Sequence, residues 1–220
     1  MEKKLKIGFV VTGIHTVPMF FFQDFTMCLY KSMKDFDVSM VVIKGGYSDV
    51  IRNKAVNEIL KSNPDRIVLM DADQNFNYDQ LVELLAYDVD IVSALYVYKN
   101  EPFNPIAFIS NGVRLIDYPE RGLIKVYCGG TGLTIVKTEV FKKISEPWFN
   151  HATNMSEDVY FAMKVKDAGI NWYLATEVQI GHNGIYPSTW ELFKDNVMKT
   201  EGIELIKYEN GAVGAAFDRK

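Results

Sequence analysis

Apolar positions recur along the chain in two rhythms. Short β-branched runs bounded by turn residues read as strands, and stretches with apolar positions three and four apart read as helices. Residues 5–11 form the first strand, closed by Thr12 and Gly13. Pro18 suits the first turn of a helix that carries Phe22, Phe25, Leu29 and Met33 on one face, and the triplet Phe20, Phe21, Phe22 is expected in the core. Residues 38–43 are the second strand, and Lys44, Gly45 and Gly46 form a turn. Ser48 can cap a helix bearing Ile51, Ala55, Ile59 and Leu60, which Asn63 and Pro64 stop. Residues 67–76, IVLMDADQNF, then run from an apolar strand straight into two acids, Asp71 and Asp73.

The pattern continues with a helix capped by Asn77 (Leu81, Val82, Leu84, Leu85) and a strand at 89–95. Residues 99–128 change character: Pro102, Pro105 and short β-type runs at 106–109, 113–116 and 123–126 predict hairpins. Gly129, Gly130, Thr131 and Gly132 precede a strand at 133–136 and a helix capped by Thr138. A loop holds Pro147, Trp148 and His151. Ser156 caps a helix over 157–168 that Gly169 ends, and a last strand covers 172–178. Gly181, His182, Asn183 and Gly184 read as a turn, 189–199 as a final helix, and the remaining tail as weakly ordered. Alternating strands and helices predict an α/β fold with a mostly parallel, Rossmann-like sheet. In such sheets ligands lie outside the carboxyl ends of the strands, where Thr12, Gly13, the Lys44 turn and the acidic pair fall.

Composition narrows the class. Of 220 residues, 48% are hydrophobic, enough for a full core. A net charge of −4 argues against a nonspecific nucleic-acid binder, which needs a basic surface. Cys28 and Cys128 lie in no CxxC spacing and predict two buried thiols in a reducing compartment. The opening apolar run is too short for a signal peptide or a membrane span, and no other stretch is long enough to span. A cytoplasmic protein is expected, with any membrane contact peripheral.

The chemistry centres on Asp71 and Asp73. In extended geometry two carboxylates one residue apart point to the same side, where they repel each other. A divalent cation resolves that conflict. Hard oxygen ligands suit Mg²⁺ or Mn²⁺, which in turn hold phosphates. The bland alternative is a solvated turn capping the next helix. Glu157 and Asp158 open a helix, where acids complement the dipole in any case, a contribution of at most about 1 kcal/mol. His182 is either a surface turn residue or a ligand, and an imidazole favours Mn²⁺ over Mg²⁺. Arg52 is either an exposed helix residue or a ligand contact. Gly129 to Gly132 are either a plain turn or a loop that lets a sugar approach the backbone. Trp148 and Tyr96 are either core aromatics or sugar-stacking rings.

Taken in order, the acidic pair, the Gly-Gly-Thr-Gly stretch, Ser156-Glu157-Asp158 and His182 resemble the GT-A class of nucleotide-sugar-dependent glycosyltransferases, broadly its family 2-like members, over about residues 5–185. The resemblance implies that Asp71, Ala72 and Asp73 are a DxD motif holding Mn²⁺ or Mg²⁺ against the donor diphosphate, with His182 completing the metal site. It implies that Glu157 and Asp158 are an acidic motif near the acceptor, that Arg52 and Asn53 lie near the nucleotide, and that Thr12 and Gly13 contact the base. The turn Ile43-Lys44-Gly45-Gly46 departs from the family's Asp-Asp-Gly-Ser type. The implied organisation is one catalytic domain over 1–220: a nucleotide-binding half to about 98, an acceptor-side half over 99–185, and a C-terminal helix and tail over 186–220. The implied reaction is transfer from a nucleoside-diphosphate sugar to a hydroxyl of a carbohydrate or other acceptor, inverting, with Asp158 as base. A sugar-phosphate nucleotidyltransferase is the competing enzyme class, but residues 12–22 lack its Gly-rich basic loop. An aspartyl-nucleophile phosphatase would want threonine where Asn75 stands. A non-catalytic binding module of the same fold would not need the acids and His182 together.

Overall fold

A computed structural model describes residues 3–13, 16–100, 102–152, 155–183, 187–188, 203–208 and 212–217. The first half alternates as the pattern requires: β1 (Lys6–Gly13), α1 (Met19–Asp35), β2 (Asp37–Lys44), α2 (Ser48–Leu60) and β3 (Arg66–Asp71). A two-residue strand β4 (Gln74–Asn75), α3 (Tyr78–Ala86) and β5 (Ile91–Leu95) follow. The hairpin region supplies β6 (Ala107–Ser110), β7 (Val113–Asp117), β8 (Leu123–Val126) and β9 (Cys128–Gly129). Then come β10 (Leu133–Lys137), α4 (Thr138–Lys143), α5 (Glu157–Asp167), β11 (Trp172–Gln179), β12 (Gly181–Asn183), β13 (Pro187–Ser188), β14 (Ile203–Lys207) and β15 (Val213–Phe217).

The central sheet runs β2-β1-β3-β10-β5-β11-β8. Strand β1 pairs in parallel with β2 and β3, and β11 pairs in parallel with β5. Strand β10 is antiparallel to both neighbours and joins the two parallel groups, while β8 is an antiparallel edge. The sheet is therefore mostly parallel, as expected. It buries both faces, and the period of two sorts its side chains between them. Ile67 and Leu69 pack under α2 and α5, in a core with Val56, Phe161 and Trp172. Val68 and Met70 pack on the opposite face with Phe9, Phe21 and Leu81.

Several helix boundaries follow the sequence signals. Asn77 and Gln80 form a reciprocal capping box on α3. Ser156 caps α5 by accepting from Val159 N, and Gly169 ends that helix at φ +71°. Two expected caps are used elsewhere. Tyr47 precedes α2, leaving the Ser48 hydroxyl to bond Glu157. The Thr138 hydroxyl donates to Pro64 O at 2.6 Å instead of capping α4.

Four expectations are corrected. The buried face of α1 is Phe21, Cys28 and Ser32 with Phe25 and Leu29 beside them, whereas Phe20, Phe22 and Met33 are exposed; apolarity alone left the helix phase undetermined. Gly181 to Asn183 are a strand rather than a turn, pairing with β4 and β13. The described residues of the tail are strands: β14 pairs with β15, and β15 with β7, extending the sheet β14-β15-β7-β6-β9. The acidic pair is not extended, since β3 ends at Asp71 and the chain turns through Ala72 and Asp73. The helix expected over 189–199 lies outside the described residues. Both cysteines are free and buried, as expected. Among the described residues, no helix is long and apolar enough to cross a membrane.

Candidate active site

Strands β1 and β3 end side by side, and their exit loops open into a cleft of about 710 Å³. Thr12, Gly13, Arg52, Asp71, Ala72, Asp73, Lys99, His151 and Glu157 line it. A narrower recess of about 180 Å³ adjoins it, lined by Tyr96, Tyr98, Phe108, Cys128, Asp158 and His182 among others, and it shares Arg52, Asp71 and Glu157 with the cleft.

The turn after Asp71 sends the two acids to different partners. Asp71 continues the strand alternation toward α2, where both of its oxygens accept from Arg52 Nη2 at 2.8 Å. The Thr12 hydroxyl donates to Oδ1 of the same carboxylate at 3.0 Å. Asp73 instead meets the Lys99 ammonium and lies 3.8 Å from His182 Nε2. The turn is held by Ala72 N donating to Thr12 O and Asn183 N donating to Asp73 O. Burial alone would raise the Asp73 pKa, but the hydrogen bonds and charge of His182 and Lys99 outweigh it and hold the carboxyl near about 2.

Arg52 is the hub of the site. Its side chain is only 5% exposed and its Nη1 reaches Glu157 and, at 3.5 Å, Asp158. Its charged form is stabilised against burial by Asp71, Asp158 and Glu157. The exposed-helix reading of Arg52 is thus excluded. Its neighbour Asn53 fixes the 146–152 loop: Oδ1 accepts from Trp148 N and Phe149 N, and Nδ2 donates to Phe149 O. That loop carries His151, whose ring bridges Asp49 and Glu157 Oε2, the latter at 3.1 Å. Glu157 is kept ionised because Arg52, the Ser48 hydroxyl and His151 together outweigh its burial.

Asp158 lies on the other side of Arg52 and accepts from the Thr131 hydroxyl at 2.6 Å. Burial pushes its pKa up to about 6; Glu157 and Asp71 add to the rise, and Arg52 and Thr131 oppose it. The α5 N-terminus therefore does not dominate this carboxyl, contrary to a simple helix-dipole argument. A carboxylate poised near neutrality and facing a recess can accept a proton.

The glycines after β9 serve packing. A Cβ on Gly130 would lie 2.1 Å from the Tyr96 hydroxyl, and one on Gly132 would lie 2.7 Å from Gln74 Nε2. Tyr96 is buried in that space and accepts from Gly132 N at 2.8 Å, so Gly130 and Gly132 make room for its ring, while Gly129 lines the recess. Tyr96 and Trp148 are core aromatics, with Trp148 Nε1 donating to Phe141 O and Ile144 O. Lys99, Thr131 and His151 were not legible as site residues. Each is a lone polar residue with no local pattern, although Thr131 sits in the Gly-rich stretch.

The donor set suits a hard cation only in part. His182 Nδ1 donates to Val97 O at 2.8 Å, and its Nε2 faces Asp73: the protonated ring pairs with that carboxylate, and the neutral ring turns a lone pair toward it. A carboxylate oxygen and an imidazole lone pair facing each other fit a cation between them. Asp71, by contrast, is engaged by Arg52 and Thr12. Among the described residues, no group of three or more His, Cys, Asp or Glu side chains is arranged to hold a metal ion. Mg²⁺ and Mn²⁺ sites built on one or two protein ligands are completed by substrate phosphates, and Asp73 with His182 fits that kind of site.

No family model matches the chain, and no curated protein matches it. Solved structures do. The chain is similar to A197 from STIV, at 17% identity and a TM-score of 0.60 over 98% of this chain and 96% of that one. It is also similar to GalNAc-T7, crystallised with UDP, GalNAc and Mn²⁺, at 11% identity and a TM-score of 0.53 over 82% of this chain and 44% of that one. With the sheet order and flanking helices, these likenesses establish the fold as the Rossmann-like α/β fold of the GT-A type.

Proposed function

We propose that the protein is a metal-dependent glycosyltransferase that moves a sugar from a nucleoside-diphosphate sugar to an acceptor hydroxyl with inversion. The observation that carries this reading is the division of the acids between the two sides of the joined cavities. Asp73 and His182 face one side of the joined cavities, and Asp158, with its raised pKa, faces the recess. The larger cleft at the strand ends has the size and placement for a nucleoside diphosphate, with Thr12 and Gly13 at the base. Residues to about 98 would then bind the nucleotide, and those over 99–185 would shape the acceptor side.

In this reading Asp73 and His182 would hold Mn²⁺ or Mg²⁺, which would supply positive charge for a departing diphosphate. Asp71 reaches the same cleft but is committed to Arg52, so its contribution is to fix the guanidinium. Arg52 in turn holds Glu157 and Asp158 in place. Asp158 accepts the proton of the acceptor hydroxyl as that oxygen attacks the anomeric carbon, and Thr131 orients the carboxylate. Glu157, kept ionised and tied to Ser48 and His151, positions the loop rather than exchanging a proton.

A panel of nucleoside diphosphates and nucleotide sugars, with and without Mn²⁺, tests the reading by thermal shift. A ligand at a hundredfold its dissociation constant adds about 2.7 kcal/mol of stability. Stabilisation by a nucleotide sugar in Mn²⁺, followed by transfer with inverted anomeric configuration, is expected. No stabilisation by any member of the panel removes the reading. Release of diphosphate from a nucleoside triphosphate and a sugar phosphate would assign a nucleotidyltransferase instead.

A further inference from the structure

We infer that Lys99 is a diphosphate-binding residue that rests on Asp73 until a divalent cation displaces it. The inference builds on the proposed metal-dependent reaction and adds a residue that no motif marks.

Lys99 follows β5 at the start of a tight loop. Tyr98 N donates to Asn104 O, and Phe103 N donates to Asn100 O. The Lys99 side chain lines the donor cleft and also a neighbouring cavity of about 360 Å³ formed with Tyr98, Asn100, Pro102, Asn104 and His182. It is 34% exposed, so its ammonium has room to move between the two spaces. The group it holds is Asp73, whereas Arg52 holds Asp71, Glu157 and Asp158.

Charge balance gives the ammonium its task. Among the described residues, Asp71, Asp73, Glu157 and Asp158 face two permanent cations, Arg52 and Lys99. Arg52 is buried and its charge is already shared among three carboxylates. A diphosphate entering this cleft meets an excess of negative charge, and a divalent cation corrects it. A cation bound between Asp73 Oδ1 and His182 Nε2 stands beside Oδ2 of the same carboxylate, where the Lys99 ammonium rests, and like charge drives the ammonium off. The displaced ammonium remains tethered at the cleft rim, beside phosphate oxygens that the same cation holds. Lysine suits such a move, since its charge is compact and its stem flexible.

Two affinities of opposite sign test this. Mn²⁺ binding is measured by electron paramagnetic resonance without nucleotide. Inorganic diphosphate binding is measured by calorimetry at saturating Mn²⁺. Wild-type protein is compared with Lys99→Met and Lys99→Gln, each checked for an unchanged melting temperature. Removing the ammonium removes a competitor for Asp73 and a partner for phosphate. Each variant should bind Mn²⁺ about tenfold more tightly and diphosphate about tenfold more weakly, the scale of one charge-assisted hydrogen bond. Variants that bind both ligands as wild type does, or bind Mn²⁺ more weakly, overturn the assignment of Lys99 and leave the metal-dependent reaction standing. If wild-type protein binds neither Mn²⁺ nor diphosphate, the proposed reaction fails together with it.

Discussion

Removing the positive hub of the site should reveal how much the acids depend on it. In Arg52→Met the stem volume is roughly kept and the guanidinium is lost, leaving Asp71, Glu157 and Asp158 without their shared partner. At about 4 Å and an effective dielectric of about 20, each charge pair is worth about 4 kcal/mol before desolvation. Burying the ions cancels much of that gain, so the better guide is the cost of breaking a buried pair from one side, about 3–5 kcal/mol. For a chain of this length, 1 kcal/mol shifts the melting temperature by about 2–4 °C, so a fall of about 10 °C is expected at pH 7. The pH dependence is the sharper test. Unscreened by arginine, the buried Glu157 and Asp158 carboxyls would have folded pKa values above their unfolded ones. The stability tied to such groups is present below the unfolded pKa and lost as pH rises through the folded pKa. The gap between Arg52→Met and wild type should therefore narrow from pH 7 to pH 5. Urea titrations at both pH values measure it. A gap within about 1 kcal/mol at pH 7, or one that widens at pH 5, would refute the hub reading.

Other outcomes follow from single contacts. Asp158→Asn should lose about 10²–10⁴ in transfer rate with donor binding retained, as steady-state kinetics and calorimetry would show. Because the Asp158 pKa is raised to about 6, the basic form accumulates above that pH, and wild-type kcat should climb between pH 5 and 7 and then level. A flat profile over that range would remove Asp158 as the base. Gly130→Ala drives a methyl into the buried Tyr96 ring, so chemical denaturation should report a loss of about 1–3 kcal/mol. Tyr96→Phe leaves the Gly132 N–H without its partner, and the same assay should report about 1–3 kcal/mol.

The sequence by itself determined what local backbone physics controls. The alternation of apolar runs marked the strands of the parallel groups, because period two places Ile67 and Leu69 under one layer of helices and Val68 and Met70 under the other. Asn77, Ser156 and Gly169 marked helix ends, since a cap is satisfied within three or four residues of itself. The chemical types needed at the site, carboxylates at a strand end and at a helix start, were also legible. Only the tertiary structure decided how they face. Whether Asp71 and Asp73 share a side depended on where β3 stops, and the turn at Ala72 separates them. The partners of the acids lie far along the chain. Arg52 meets Glu157 across 105 residues, and Lys99 meets Asp73 across 26. No spacing rule reaches such distances, because closure of the sheet brings those groups together. The antiparallel strand β10 and the pairing of β15 with β7 have the same origin. A strand's pattern reports which of its faces is buried, while its neighbours are chosen by the hydrogen-bonding edges that the rest of the fold leaves open.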